Sequence, residues 1–123
     1  MRKQILSFRP TIPSIENGKE VSRVEIFQNS TLRPILKFQN GLIMSIFKNY
    51  VDKYGVDLSE YSDAKRNEMI EKMILKDRNL SKFFLGIIIG HFSDQEWNDY
   101  LLNEREINRR INRLIIQRLQ SQV

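Results

Sequence analysis

The sequence predicts an all-α protein: a single compact bundle of five or six helices around a central apolar helix at about 80–92, preceded by an extended N-terminal arm. Apolar residues recur at spacings of three and four from Ser22 onward. Helix-start signals stand ahead of those stretches, and no segment carries the alternating pattern that would demand a strand. With 123 residues, 41% of them hydrophobic, the chain has the size and apolar content of one domain with its own core. We divide it into an arm, 1–18, and a single helical domain, 19–123.

The arm is punctuated by Pro10, Pro13 and Gly18, and Leu6, Phe8 and Ile12 are spaced by even numbers, which reads as extended chain. With Ile15 it is too apolar to favour water, so it is expected to cross its own bundle or to reach a second subunit. The helices open at Ser22, which with Glu25 forms a capping box, while Val21 and Ile26 stand at the positions of a hydrophobic staple. The longest periodic stretch, Thr31 to Tyr54, reads as one amphipathic helix carrying Leu32, Ile35, Leu36, Leu42, Ile43, Ile46, Phe47, Tyr50, Val51 and Tyr54. Pro34 falls in its first turn, where amides lack partners, and Gly55 follows where a left-handed C-cap is wanted.

Ser62 or Asp63 then caps a helix running to about Asp77, with Met69, Ile70, Met73 and Ile74 as its stripe. Leu80 to Phe92 is apolar almost all round after Lys82, the pattern of a helix with neighbours on most sides, so it takes the centre. Gly86 and Gly90 are four apart on one face, and the helix stability they sacrifice predicts close approach by a crossing helix. Ser93 with Glu96, flanked by Phe92 and Trp97, repeats the capping box. Asn103 with Glu106, flanked by Leu102 and Ile107, is a third version that opens a last helix from Glu104 to about Gln120, with Ile107, Ile111, Leu114, Ile115 and Leu119 on one face.

Four segments, Ile26-Phe27-Gln28-Asn29, Thr31-Leu32-Arg33-Pro34-Ile35-Leu36, Gly86-Ile87-Ile88-Ile89-Gly90-His91-Phe92 and Gln117-Arg118-Leu119-Gln120-Ser121, resemble a small uncharacterised all-helical bacterial family. Some of its members are labelled glyoxalase. Glyoxalase domains are similar to one another in a βαβββ sheet whose strands supply His and Glu metal ligands. This chain offers one His and no strand pattern, so the resemblance implies a helical fold and no such metal site.

The absence of Cys removes disulfides, thiolate nucleophiles and Cys-ligated metals. The start Met1-Arg2-Lys3 has the charge of a signal peptide, but Ser7, Arg9 and Pro10 interrupt the apolar stretch one would need. The run from Phe83 to Gly90 falls well short of the ~20 residues that span a bilayer. A cytoplasmic protein without membrane contact is expected.

His91 is the only histidine, which excludes the paired Glu-x-x-His of di-iron bundles and the two-histidine zinc motif. A site combining it with Asp94 or with a carboxylate from another helix competes with a structural reading, in which the ring ends a buried helix and bonds a late carbonyl. Ser93 is explained as a cap and lacks a nucleophile elbow. Gly86 and Gly90 lie inside a helix with no phosphate-loop Lys after them. Glu68 and Glu71 share a face with Lys65, Arg66 and Lys72 and read as a solvated surface, and Met44, Met69 and Met73 as core filler.

Charge is the most informative surface feature. The formal net charge is +5. Asp94, Glu96, Asp99 and Glu104 form an acidic stretch without a base, and Arg109, Arg110, Arg113 and Arg118 follow in a stretch without an acid beyond Ile107. Arg109, Arg110 and Arg113 form a stripe pointing away from Ile107, Ile111 and Leu114. Its partner is nucleic acid, another protein, or a nearby acid such as Glu106. The best helix-turn-helix frame would use 94–102 as reader, whose acids repel phosphate, and no aromatic is interleaved with the arginines. We therefore expect a non-enzymatic module acting through protein–protein contacts or self-association, without cofactor or metal. Nucleic-acid binding through the arginine stripe and a small-ligand or enzyme site around His91 are the alternatives.

Overall fold

The computed structural model describes residues 22–123; the expected arm at 1–18 and the Val21 half of the first staple lie outside them. Among the described residues every regular element is a helix, so the chain is all-α. The first rod joins α1, Arg23–Phe27, through a π-helical turn, Gln28–Leu32, to α2, Arg33–Phe38. It is followed by α3, Asn40–Lys53, a 3₁₀ turn at Leu58–Glu60, α4, Asp63–Lys76, α5, Arg78–Ile89, α6, Asp94–Leu102, and α7, Glu104–Gln122.

The expected helix from Thr31 to Tyr54 is two helices. The rod that contains its first residues begins at Ser22, whose Oγ accepts from the Glu25 amide at 3.1 Å. In an uninterrupted α-helix the Pro34 ring would crowd the Ser30 carbonyl and supply no donor to it. The π turn opens the ladder just before that point, with the Arg33 amide donating to the Gln28 carbonyl five residues back. The break comes at Gln39, with φ −94° and ψ 8°. After Ile35 and Leu36 the next core-facing positions hold Gln39 and Asn40, with Gly41 behind them, so nothing apolar pulls that turn inward. In α3 the stripe resumes with Ile43, Phe47 and Val51 buried.

Gly55 ends that helix at φ +70°, as its position after Tyr54 predicts. Ser62 caps α4 by accepting from the Lys65 amide, and Ile70 and Ile74 are buried. Asp77 starts α5: its Oδ1 accepts the amides of Asn79 and Leu80, each at 3.1 Å. The same carboxylate accepts the Tyr50 hydroxyl at 2.8 Å, so one side chain caps α5 and fastens it to α3. Burial first and Asp77 second push the Tyr50 phenol up to about 12.

The apolar stretch 80–92 packs into the core through Leu80, Phe84, Ile88 and Phe92, with Leu85, Ile87 and Ile89 partly buried beside them. α5 buries Leu80, Phe84 and Ile88, one line along the helix, while Lys82 and Gly86 are exposed and Phe83 is 57% exposed. α7 buries more side chains than any other helix. It buries Ile107, Ile111, Leu114, Ile115, Ile116 and Leu119 and touches α4, α5, α6 and the π turn. At 19 residues it is about 28 Å long, enough to cross the molecule. Each of those buried side chains contributes roughly 1.5–3 kcal/mol.

Among the described residues no helix crosses at Gly86 and Gly90. There, a Cβ on Gly86 would meet nothing within 4 Å, and one on Gly90 would meet the carbonyls of Gly86 and Ile87 on its own helix. Both residues are exposed, on the side of α5 that the bundle leaves bare.

Candidate functional site

The two acidic and basic stretches of sequence become α6 and the outer face of α7. At the start of α6 the capping box is complete: Ser93 Oγ accepts from the Glu96 amide at 3.1 Å, and Glu96 Oε1 accepts from the Ser93 amide at 2.9 Å. Glu96 Oε2 accepts from Thr31 Oγ1 at 2.9 Å, tying α6 to the π turn through a hydroxyl that is otherwise buried. Ser93 is thus occupied as a cap. Asn103, by contrast, makes no side-chain cap bond; its backbone at φ −139° and ψ 37° turns α6 sharply into α7. Glu106 is drawn away from a capping role by the arginines that follow it.

His91 lies past the end of α5, half-buried. Gln39 Nε2 is 2.8 Å from His91 Nε2; an amide nitrogen donates, so this ring nitrogen accepts. The Phe38 ring meets the imidazole edge-on with centroids 5.6 Å apart. His91 therefore helps to close the gap where the first rod breaks, through a bond to a side chain of that rod. Among the described residues no group of three or more His, Asp or Glu side chains converges as a metal site would. Glu68 pairs with Lys65 and Lys72, as a solvated face requires, while Glu71 reaches across to α7. Met44, Met69 and Met73 pack half-buried against the core.

Arg109, Arg110 and Arg113 do form an outward stripe, and each has an acidic partner. Glu106 accepts from Arg109 Nη2 at 2.6 Å and from Arg110 Nε at 3.1 Å; Arg113 Nη1 donates to Glu71 Oε1 on α4 at 3.1 Å. The hydrogen bonds from Arg109 and Arg110 pull the Glu106 carboxyl down to about 2. Arg110 Nη1 also donates to Gln28 Oε1 in the π turn at 3.1 Å. That contact brings a fourth guanidinium into range. Arg33, from α2, lines with Arg109, Arg110, Arg113, Gln28 and Gln117 a hollow of about 180 Å³ floored by Leu114.

Arg33, Gln28 and Gln117 were not legible as members of this group. The Gln28 to Arg110 bond joins residues 82 apart in sequence, and no local spacing announces such a pairing. Beside the hollow, Arg118 Nη1 donates to Asn40 Oδ1 and Arg33 Nε to Asn29 Oδ1, both neutral acceptors. Burial, and after it the charge of Arg33, lowers the proton affinity of Arg118.

Two other clefts open elsewhere. One of about 690 Å³ lies between α3, the 3₁₀ turn and the end of α7, with Phe47, Val51, Val56 and Leu58 beneath a rim of Lys48, Asp52, Asp57 and Arg66. Another, of about 280 Å³, runs between α1 and the α6–α7 corner, with Val24, Ile26, Phe27 and Leu102 on its walls and Arg23 and Asp99 at its edge. Along α6 beside it Trp97 and Leu101 are exposed, and Leu102 is 73% exposed. Trp97 stacks on Tyr100, with centroids 5.5 Å apart, so its ring is held in one orientation.

No protein-family model, curated protein or solved structure matched the chain. Among the described residues no helix is long and apolar enough to cross a membrane.

Proposed function

We propose that this chain is a non-enzymatic helical module that works through protein–protein contacts, its contact face being the outer side of α6 and the cleft α6 shares with α1. The observation that carries the reading is the exposure of Trp97, Leu101 and Leu102 on a nine-residue helix, beside an apolar cleft walled by Ile26 and Val24. Large apolar side chains gathered beside a cleft and edged by charge have the composition of an interface core with a polar rim. Asp99 and Arg23 edge that cleft with one charge of each sign, so the matching surface is apolar with a polar border. A second copy of this chain supplies basic surface on α7, which favours self-association as the form of contact.

The reading draws support from His91, whose acceptor nitrogen is engaged by Gln39, and from Ser93, which caps α6. Nucleic acid is disfavoured as the partner, since Arg109, Arg110 and Arg113 each face a carboxylate and converge on one hollow rather than tracking a backbone. The reading includes a cytoplasmic location. Static light scattering over a concentration series tests it, with Leu102→Lys as the comparison because that side chain is exposed and its loss leaves the core intact. Mass should rise with concentration in the native chain and stay monomeric in the variant. A native chain that is monomeric at every concentration, and that retains no partner which Leu102→Lys releases, overturns the reading.

A further inference from the structure

We infer that the hollow between α7 and the start of α2 is a binding site for a single phosphoryl group, inorganic phosphate or the head of a small phosphomonoester, held by Arg33, Arg110 and Arg113. It does not rest on the α6 contact face, although a second copy docking on α7 would cover the same arginines.

Charge balance comes first. Five guanidiniums, those of Arg33, Arg109, Arg110, Arg113 and Arg118, gather on this side of the molecule, and two carboxylates, Glu71 and Glu106, answer them. Glu106 is shared between two of the arginines, so its charge is already divided. Arg33 and Arg118 sense each other's charge and bond only neutral amides among the described residues. Like charges held this close are unfavourable unless an anion joins them.

Geometry comes second. Arg33 approaches from the first rod, while Arg109, Arg110 and Arg113 come from α7, so donors converge on the hollow from two walls. A planar carboxylate is satisfied by one guanidinium fork, whereas a tetrahedral phosphoryl group offers acceptor oxygens toward several walls at once. Gln28 and Gln117 add neutral polar groups, and the buried Leu114 completes the lining. The site is also preorganised. Gln28 and Glu106 hold two donors of Arg110, Glu71 one of Arg113 and Asn29 one of Arg33, and a guanidinium has five.

Size limits the ligand. At about 180 Å³ the hollow falls below the ~300 Å³ at which pockets begin to enclose drug-sized ligands, so it suits an anionic head rather than a whole nucleotide. No aromatic residue lines it, which removes a stacking platform for a base.

Titration calorimetry of the full chain with inorganic phosphate and with glycerol phosphate, at ionic strength held constant with chloride, tests the inference. Saturable binding of one equivalent is expected, with acetate giving none. Arg33→Gln should weaken it about tenfold, the loss of one charge-assisted bond, while Lys48→Gln on α3 leaves it unchanged. Glu71→Gln frees Arg113 and should tighten binding, a gain that damage to the fold would not produce. Binding of glycerol phosphate but not phosphate would place the ligand among phosphomonoesters; the reverse would make it the free ion, and either supports the site. A heat signal that does not saturate, equal response to acetate, or an affinity untouched by both Arg33→Gln and Glu71→Gln overturns it. So does tight binding of a short oligonucleotide whose salt dependence requires several released ions, because the stripe would then follow a backbone.

Discussion

Residue for residue α5 is greasier than α7: Phe83-Phe84-Leu85-Gly86-Ile87-Ile88-Ile89 has no counterpart in α7, where polar and charged residues, arginine, asparagine and glutamine above all, separate the apolar ones. Yet α7 buries six apolar side chains and α5 three. In α7 the apolar residues fall on one face and its near flank, so every one of them meets α4, α5, α6 or the π turn. In α5 they spread over a wider arc, so Leu85, Ile87 and Ile89 are only partly buried against the core and Phe83 is exposed. Average hydropathy thus measures how much a helix stands to gain from burial, while the arrangement of its residues decides how much it obtains.

The sharpest way to break this comparison is to truncate one side chain on each helix. Ile111→Ala should cost about 2–5 kcal/mol, because Ile111 is fully buried on α7. Phe83→Ala, on the open side of α5, should stay within about 0.5 kcal/mol despite removing a larger group. Urea unfolding of both variants reads the difference, and equal losses would mean that the outer side of α5 is covered as well. A smaller effect of opposite sign sharpens the same point. Gly86→Ala should stabilise the protein by up to about 1 kcal/mol, since the position is helical and open; a loss of stability would reveal a neighbour packed against that face.

The smallest expected effect concerns the polar side of α7. Glu106 titrates at about 2 instead of the ordinary 4.5. A carboxyl lowered in the folded state adds stability that is present above the unfolded value and is lost as pH falls through the folded one. Glu106→Gln should therefore flatten the decline of the thermal midpoint between pH 4.5 and 2. The slope is modest because the partners are exposed and screened. An unchanged acid limb would mean that the pairs with Arg109 and Arg110 do not persist in solution.

Features that depend on near neighbours in sequence were legible. The caps at Ser22, Ser62 and Ser93, the left-handed Gly55 and the stripe of α7 all rest on spacings of a few residues, where backbone chemistry dictates the outcome. Features set by tertiary competition were not. Asn103 has the residue type of a cap, but the following Glu106 is claimed by two arginines and the corner follows its backbone instead. The break at Gln39 is marked only by two polar residues in a core phase, and His91 reaching 52 positions back completes it. Of the candidate site, Arg109, Arg110 and Arg113 were visible as a stripe on one helix. Arg33 joins them only because the first rod lies against α7, which no local pattern encodes.

The π turn at Gln28–Leu32 fixes the rotational phase of the first rod. Each residue of an α-helix advances the chain by about 100°, so deleting Ser30 and closing the turn into regular helix would spin 23–27 by that angle relative to 33–38. Phe27 would then swing off Phe92, whose ring it meets edge-on at 5.4 Å, and Gln28 would leave Arg110. One surplus residue in a single turn thus acts as the gear that lets the same rod face the α5–α6 corner with an aromatic ring at one end and α7 with an arginine at the other.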